Sequence, residues 1–300
     1  MTRLTAAEFG GRTPEEPAPR AGEAQRPVAE TSEFVRQLKE QDPASLAQLY
    51  AAYGQKVYAL AYRLTGNREE AEDITQETFL QICRKVGDFR EQSRLYTWIY
   101  AIAKHLCYRS FQRAKKSSLA SFETLIHGAV DTALPAEIEA LEKEALIRQV
   151  KEGCLTGLLG CLSFNQRLAF ILHVLLRLPV GTVAEILGKS EAATKVLTHR
   201  ARQNLKRFLC RNCSAYDPAN ACRCESLLGF SLKHGWVERL SEAEKTRLDP
   251  RRIEEEIKRI RTVVELYREL AEPEPAAALS RQIQAWLRDP HGLIGAGSKT

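Results

Sequence analysis

Between Glu33 and about Gln112 the apolar residues recur at intervals of three and four, and no stretch shows the alternation of a half-buried strand. Around 69 to 86, for instance, Phe79, Ile82, Cys83 and Val86 fall at i, i+3, i+4 and i+7, one face of a helix. The punctuation is helical as well. Asp42 before Pro43 supplies an N-cap followed by the residue best tolerated in a first turn, and Thr65-Gly66-Asn67 is a stop signal. This pattern predicts an all-α fold.

The same reading divides the chain. Residues 1 to 31, rich in Pro, Glu, Ala and Gly and without apolar periodicity, read as a disordered N-terminal tail. A first helical domain spans 32 to 114, and 115 to 135 reads as a flexible linker. A second helical domain covers 136 to 209. It ends in a long helix, a short helix closing at ILGKS and a basic helix, the outline of a helix-turn-helix with Ala184 and Gly188 small where two helices cross. A Cys-rich, metal-clip-like segment follows over 210 to 235, then a helical C-terminal extension over 236 to 300. In the extension Ile253, Ile257, Ile260, Val264 and Tyr267 alternate spacings of four and three, a stripe expected to dock on the protein's own body. A last weak helix is expected around Leu279 to Leu287.

Composition narrows the function classes. The 300 residues are 44% apolar, enough for a core in each domain. The acidic, Pro-rich N-terminus does not resemble a secretory signal, and the longest apolar run, LAFILHVLL, is half the length of a membrane helix and contains His173. A cytosolic address and no membrane partner are the expectation. There, eight cysteines point to metal binding or thiol chemistry and away from disulfides. The net charge of +6 is concentrated in RLYTWIYAIAKHLCYRSFQRAKK and THRARQNLKRFLCR, which predicts a polyanionic partner.

Two stretches carry a family resemblance. NREEAEDITQETFLQICRKVGDFREQSRLYTWIYAIAKHLCYRSFQR resembles the second region of bacterial RNA polymerase sigma factors, and LSFNQRLAFILHVLLRLPVGTVAEILGKSEAATKVLTHRARQNLKRFL resembles the fourth. Their order and spacing are similar to the short, extracytoplasmic-function type, over roughly 33 to 209. The resemblance implies a cytoplasmic, nucleoid-associated bacterial initiation factor without catalytic residues, whose partners are core RNA polymerase and promoter DNA. It implies that Asp73, Gln76 and Glu77, which share the helix face opposite the core residues, dock on the polymerase's largest-subunit coiled coil.

The stretch after that helix interleaves aromatic and basic residues, the pairing that single-stranded DNA needs for stacking and for phosphates. By resemblance, Phe89, Arg90, Gln92, Ser93, Arg94, Trp98, Lys104, His105 and Arg109 are candidates for the −10 element, with the loop 88 to 94 accepting a flipped base. Trp98 and Tyr100 are equally readable as core. His105 and Arg109 replace the family's usual Asn and Asp, so base preference does not carry over. In the second domain Ser190 reads as an N-cap, and helix-turn-helix geometry points Glu191, Ala192 and Lys195 at base edges. The resemblance implies that these read the −35 element, while His199, Arg200 and Arg202, which match the family's H-R-A-R, bind phosphates. The second reading is a stand-alone metal-responsive helix-turn-helix regulator, which would have no use for the Asp73, Gln76, Glu77 face.

Directly after the basic helix stands CRNCSAYDPANACRC, similar to the ending of a subset of such factors with a cysteine extension. Cys210, Cys213, Cys222 and Cys224 form two close pairs across a turn-rich segment, spacing that suits one zinc or another soft metal ion per chain, and no organic cofactor is expected. A thiol oxidoreductase is disfavoured because Cys210 lies at the wrong pole of its helix. Cys154 and Cys161, on one helix face, read as buried thiols, with extra metal ligands as the lesser alternative. Whether a separate anti-sigma factor or self-inhibition by the C-terminal extension restrains the protein stays open in the sequence.

Overall fold

The computed structural model describes residues 31–114, 118–130, 132, 138–237, 239, 263–268, 270 and 272–288. The N-terminal tail before Thr31 and the stripe residues Ile253, Ile257 and Ile260 lie outside the described residues. Among the described residues the structure is all helix apart from one isolated bridge, Cys213 to Cys222.

The first domain begins with α1 (Ser32–Lys39), where Phe34 N donates to Thr31 Oγ1 at 3.1 Å. In α2 (Pro43–Thr65) Asp42 accepts from Ser45 N at 2.8 Å, and Gly66, at φ 72°, ends the helix in the left-handed conformation that glycine adopts without strain. Asn67 then caps α3 (Arg68–Lys85), and α4 (Leu95–Arg113) completes the bundle. Phe79, Ile82, Cys83 and Val86 are buried as their spacing predicts.

The segment expected as a linker contains a packed helix, α5 (Leu119–Ala129). Ser118 and Ser121 cap it reciprocally, and Phe122, Ile126 and Ala129 are buried. Gly157 on α6 (Ala140–Gly160) makes this close packing feasible, since a Cβ there would stand 2.9 Å from the Phe122 ring. Next, α7 (Phe164–Ala169) widens into a π-type turn through Leu175. The helix-turn-helix is α8 (Val180–Leu187) and α9 (Glu191–Asn212). Ala184 is buried, as a close crossing requires, but Gly188 has nothing within 4 Å of a Cβ position. Its φ of 67° shows that it serves the turn, not the crossing. Short α10 (Leu228–Lys233), α11 (Val263–Arg268) and α12 (Ala277–Arg288) follow.

Two apolar cores result, and α7 with its π-type turn serves both. Phe164, Leu168 and Ile171 join the core of α1 to α4, while Phe170 and Val174 join the core of α5, α6, α9 and α11. Arg167, 5% exposed, ties the two across this seam: its guanidinium donates to Leu64 O on α2 and Gly160 O on α6 and lies over the Phe111 ring at 5.4 Å. Burial pushes it down to about 10, still charged at neutral pH. The tail docks on the body as its stripe predicts, since Val264 and Tyr267 are buried in the second core. Leu279, Ile283 and Leu287 of α12, by contrast, lie in the first core, at the opposite end of the sequence. No helix among the described residues is long and apolar enough to cross a membrane.

Candidate functional site

On α3 the acidic face stands away from the core. Asp73 is exposed, and Gln76 and Glu77 are half-buried. Two contacts account for the partial cover. Gln81 Nε2 donates to Glu77 Oε1 at 2.9 Å one turn on, and Gln76 Nε2 donates to Gln282 Oε1 of α12 at 3.4 Å.

After α3 a single 3₁₀ turn leads into the loop. Phe89 was expected among the DNA contacts, but its ring is 6% exposed and packs against Trp98 at 5.2 Å between centroids. This is a correction: an aromatic next to a buried Val86 is drawn inward to complete the core. Trp98 is half-buried, and Tyr100, 3% exposed, is core. Arg90, Gln92 and Arg94 are exposed and Ser93 is half-buried. Glu91 holds a positive φ of 57°, uncommon for a residue with a side chain, and its carboxylate is anchored by Lys39 Nζ at 2.6 Å. The loop walls a cavity of about 430 Å³ lined by Phe89, Gln92, Ser93, Arg94, Thr97 and, from α8, Thr182 and Glu185. The Thr97 hydroxyl is buried with no hydrogen-bond partner. A polar, open recess with an unsatisfied hydroxyl suits a ligand with hydrogen-bonding edges.

Farther along α4, His105 and Arg109 are exposed. Lys104 is engaged within the fold: its Nζ donates to Ile186 O on α8 at 2.6 Å, and burial lowers its pKa. Tyr96 Oη and Thr182 Oγ1 lie 3.2 Å apart in the same seam. The helix-turn-helix therefore leans on α4.

Ser190 caps α9 as predicted, accepting from Ala193 N at 3.2 Å. Thr194 and Thr198 turn inward, each bonding the carbonyl four residues back at 3.0 Å. The outward face then presents Glu191, Ala192, Lys195, His199 and Arg200, all exposed, with Arg202 half-buried. Gly181 leaves space for the Glu191 carboxylate, which a Cβ would approach to 2.9 Å. One face residue was not anticipated. Val196 is 47% exposed beside Lys195, and a bare valine on a basic helix is a ready contact for a thymine methyl. Its signal in the sequence is an apolar residue off the buried register set by Thr194, Thr198 and Ala201.

Several thiols interact, and Cys154 of α6 is among them. Burial, and then the charges of Cys224, Cys213, Cys222 and Cys161 nearby, hold the Cys154 thiol well above the ordinary thiol value. Burial and the neighbouring thiols push Cys222 up to about 11 and Cys224 up to about 12. Cys210 is hydrogen-bonded to Tyr216. Its carbonyl is held with that of Cys213 by Asn220 Nδ2, at 3.1 and 3.2 Å, so Asn220 closes the turn. Among the described residues no three His, Cys, Asp or Glu side chains are gathered tightly enough to hold an ion as placed. Tyr267 of α11 covers the group, donating to Leu155 O at 3.0 Å.

With this geometry in view, comparison with known proteins is decisive. The Sigma-70 region 2 model matches residues 49–117, the α2 to α4 bundle, and the Sigma-70, region 4 model matches 152–205, through the helix-turn-helix. The ECF RNA polymerase sigma factor BldN of Streptomyces coelicolor is 30% identical over 190 residues, 61% of this chain and 69% of its own. The chain belongs to the ECF RNA polymerase sigma factors. SigW of Bacillus subtilis is 26% identical over 178 residues, covering 58% of this chain and 94% of its own. The solved structure of CnrH in complex with the cytosolic domain of CnrY aligns with a TM-score of 0.43 at 19% identity, over 59% of this chain and 95% of that one. As a sigma factor the protein is a transcription initiation factor that recognises promoter DNA with core RNA polymerase. The stand-alone regulator reading is set aside with that assignment.

Proposed function

We propose that this sigma factor docks on the polymerase through Asp73, Gln76 and Glu77, captures the −10 strand at the 89–97 recess and reads the −35 element with the outer face of α9, working in the cytoplasm on nucleoid DNA with no chemistry of its own. The observation that carries the reading is the outward face of α9. Glu191, Ala192 and Lys195 point from its capped N-terminus, where a recognition helix meets base edges, and His199 and Arg200 stand where phosphates would pass. In region 2 the roles fall to Arg90, Gln92, Ser93, Arg94, His105 and Arg109. Lys104 joins them once its bond to Ile186 is released, Trp98 offers its open edge for stacking, and Phe89 supports the recess from below. The thiols suit a soft cation in kind: Cys154 lies within electrostatic reach of Cys213, Cys222, Cys224 and Cys161, and a bound ion that drew them together would stabilise thiolates that burial disfavours. We assign such an ion to Cys154, Cys213, Cys222 and Cys224, with Cys210 left to the turn.

Run-off transcription from a promoter selected with the purified holoenzyme tests the initiation roles. Lys195→Ala, losing one base contact, should lower −35-dependent output about tenfold, the loss of roughly 1–3 kcal/mol of discrimination, and Arg200→Ala should weaken all promoters alike. Equal output from both variants would remove α9 as the reader. Reversing Asp73 and Glu77 to Lys should abolish run-off by preventing assembly with core.

A further inference from the structure

The helix α12 packs on α2 and α3 of region 2. Its apolar stripe, Leu279, Ile283 and Leu287, is at most 4% exposed and belongs to the α1–α4 core. Its polar contacts run along the edge of the acidic face. Ala276 N donates to Glu72 Oε1 at 3.3 Å, Gln76 Nε2 to Gln282 Oε1 at 3.4 Å, and Tyr50 Oη to Ser280 Oγ at 3.1 Å. The approach is steered by charge. Glu272 faces Lys56 and Arg63 of α2, and Gln55 Nε2 reaches Glu274 at 3.5 Å. An amphipathic helix in an α2/α3 groove, with its outer side touching Gln76, occupies the place where a partner's helices would lie if they docked on Asp73, Gln76 and Glu77.

We infer that α12 is a built-in competitor of core polymerase: in the free protein it covers the Gln76 edge of the docking face, and assembly requires it to lift. The inference rests on the docking reading above. A competitor carried on the same chain acts at the high effective concentration that tethering confers, so a weak contact suffices to hold the face. The contact is also limited in extent. Three buried apolar side chains, a half-buried Trp286 and a few long polar bonds can be exchanged for a larger polymerase interface without unfolding α2 or α3. The covered edge leaves Asp73 exposed, which gives polymerase a first foothold before α12 is displaced.

The test is core-polymerase affinity of the full chain, by fluorescence anisotropy of labelled protein titrated with core. Ile283→Asp places a charge in the groove and should release α12. The expected result is tighter binding, by a factor in the ~5–150 range of coupled equilibria, with faster tryptic cleavage after Arg281. Leu279→Asp should reproduce it, guarding against an artefact of one site. Unchanged affinity in both variants, with Arg281 cleavage accelerated, would overturn the inference. Asp73→Lys with Glu77→Lys, placed in the Ile283→Asp background, separates the two claims. Loss of binding there supports the docking face whatever α12 does, whereas binding that persists overturns the docking reading and this inference with it.

Discussion

At the scale of single residues the cysteines are the most informative group, because two sets of four compete. Spacing pairs Cys210 with Cys213, yet Cys210 is hydrogen-bonded to Tyr216, while Cys154 on α6 interacts electrostatically with Cys213, Cys222 and Cys224. The expected outcome is that Cys210→Ser keeps about one ion per chain on elemental analysis and Cys154→Ser loses it. The reverse would restore the set read from spacing. A second residue-scale consequence follows from Cys83 and Cys107, both buried in the first core. Burial pushes them from the ordinary 9.0 to about 11 and about 12. Their folded values are raised, so the folded state holds protons that the unfolded chain releases. The stabilisation is complete below pH 9 and is lost as pH rises through 11 to 12, at about 1.4 kcal/mol per pH unit for each thiol. Thermal midpoints should therefore fall above pH 9, and Cys107→Ala should flatten that decline. A decline of unchanged steepness in the variant would assign it to other groups.

At the scale of elements, caps and turns explain where helices start and stop. Ser190 satisfies an otherwise free N–H at the start of α9, so Ser190→Ala should cost about 1 kcal/mol in urea unfolding and lower promoter affinity by loosening the reading end. A stability loss with unchanged DNA binding would show that the cap serves folding alone. These local devices were legible in the sequence: Asp42 with Pro43, Gly66 and Ser190 act where their residue types predict, through contacts three or four positions away. The helix-turn-helix and the acidic face of α3 were legible for the same reason, since periodicity is local information. What escaped was set by distant contacts. Phe89 looked like a DNA-facing aromatic because composition cannot say which ring turns inward. The helix α5 was hidden in a polar segment because its burial depends on Gly157 of α6. Cys154 interacts electrostatically with thiols about sixty to seventy positions on, and α12 bonds side chains more than 200 positions earlier.

At the scale of the whole molecule, the region 2 and region 4 units lean on each other, and under the proposed roles this contact withholds one of them. Thr182 and Glu185 of α8 form one wall of the 89–97 recess, Lys104 is spent on Ile186 O, and Tyr96 is bonded to Thr182. A strand entering the recess needs that wall withdrawn and Lys104 freed, whereas α9 keeps its outer face open in the same arrangement. Under the proposed roles the two faces differ in readiness: duplex contact by α9 would cost no rearrangement, whereas strand capture by α4 would require region 4 to move away. Opening the seam means exchanging a few hydrogen bonds at about 1 kcal/mol net each, the Arg167 clasp on Leu64 O and the apolar packing of Phe164, Leu168 and Ile171 on the first core, a cost that assembly with polymerase and DNA has to offset. Thr182→Arg breaks the Tyr96 contact and forces a second cation in beside Lys104. It should raise affinity for a single-stranded −10 oligonucleotide roughly tenfold, the shift expected when a competent state is freed from a minority population, and leave −35 duplex binding unchanged, both read by anisotropy at fixed salt. Equal strand affinity in the variant and the parent would mean that α8 does not gate the recess. A gain in both affinities would mean only that added positive charge attracts DNA, and Thr182→Trp, which pries the seam open without charge, distinguishes that outcome from gating.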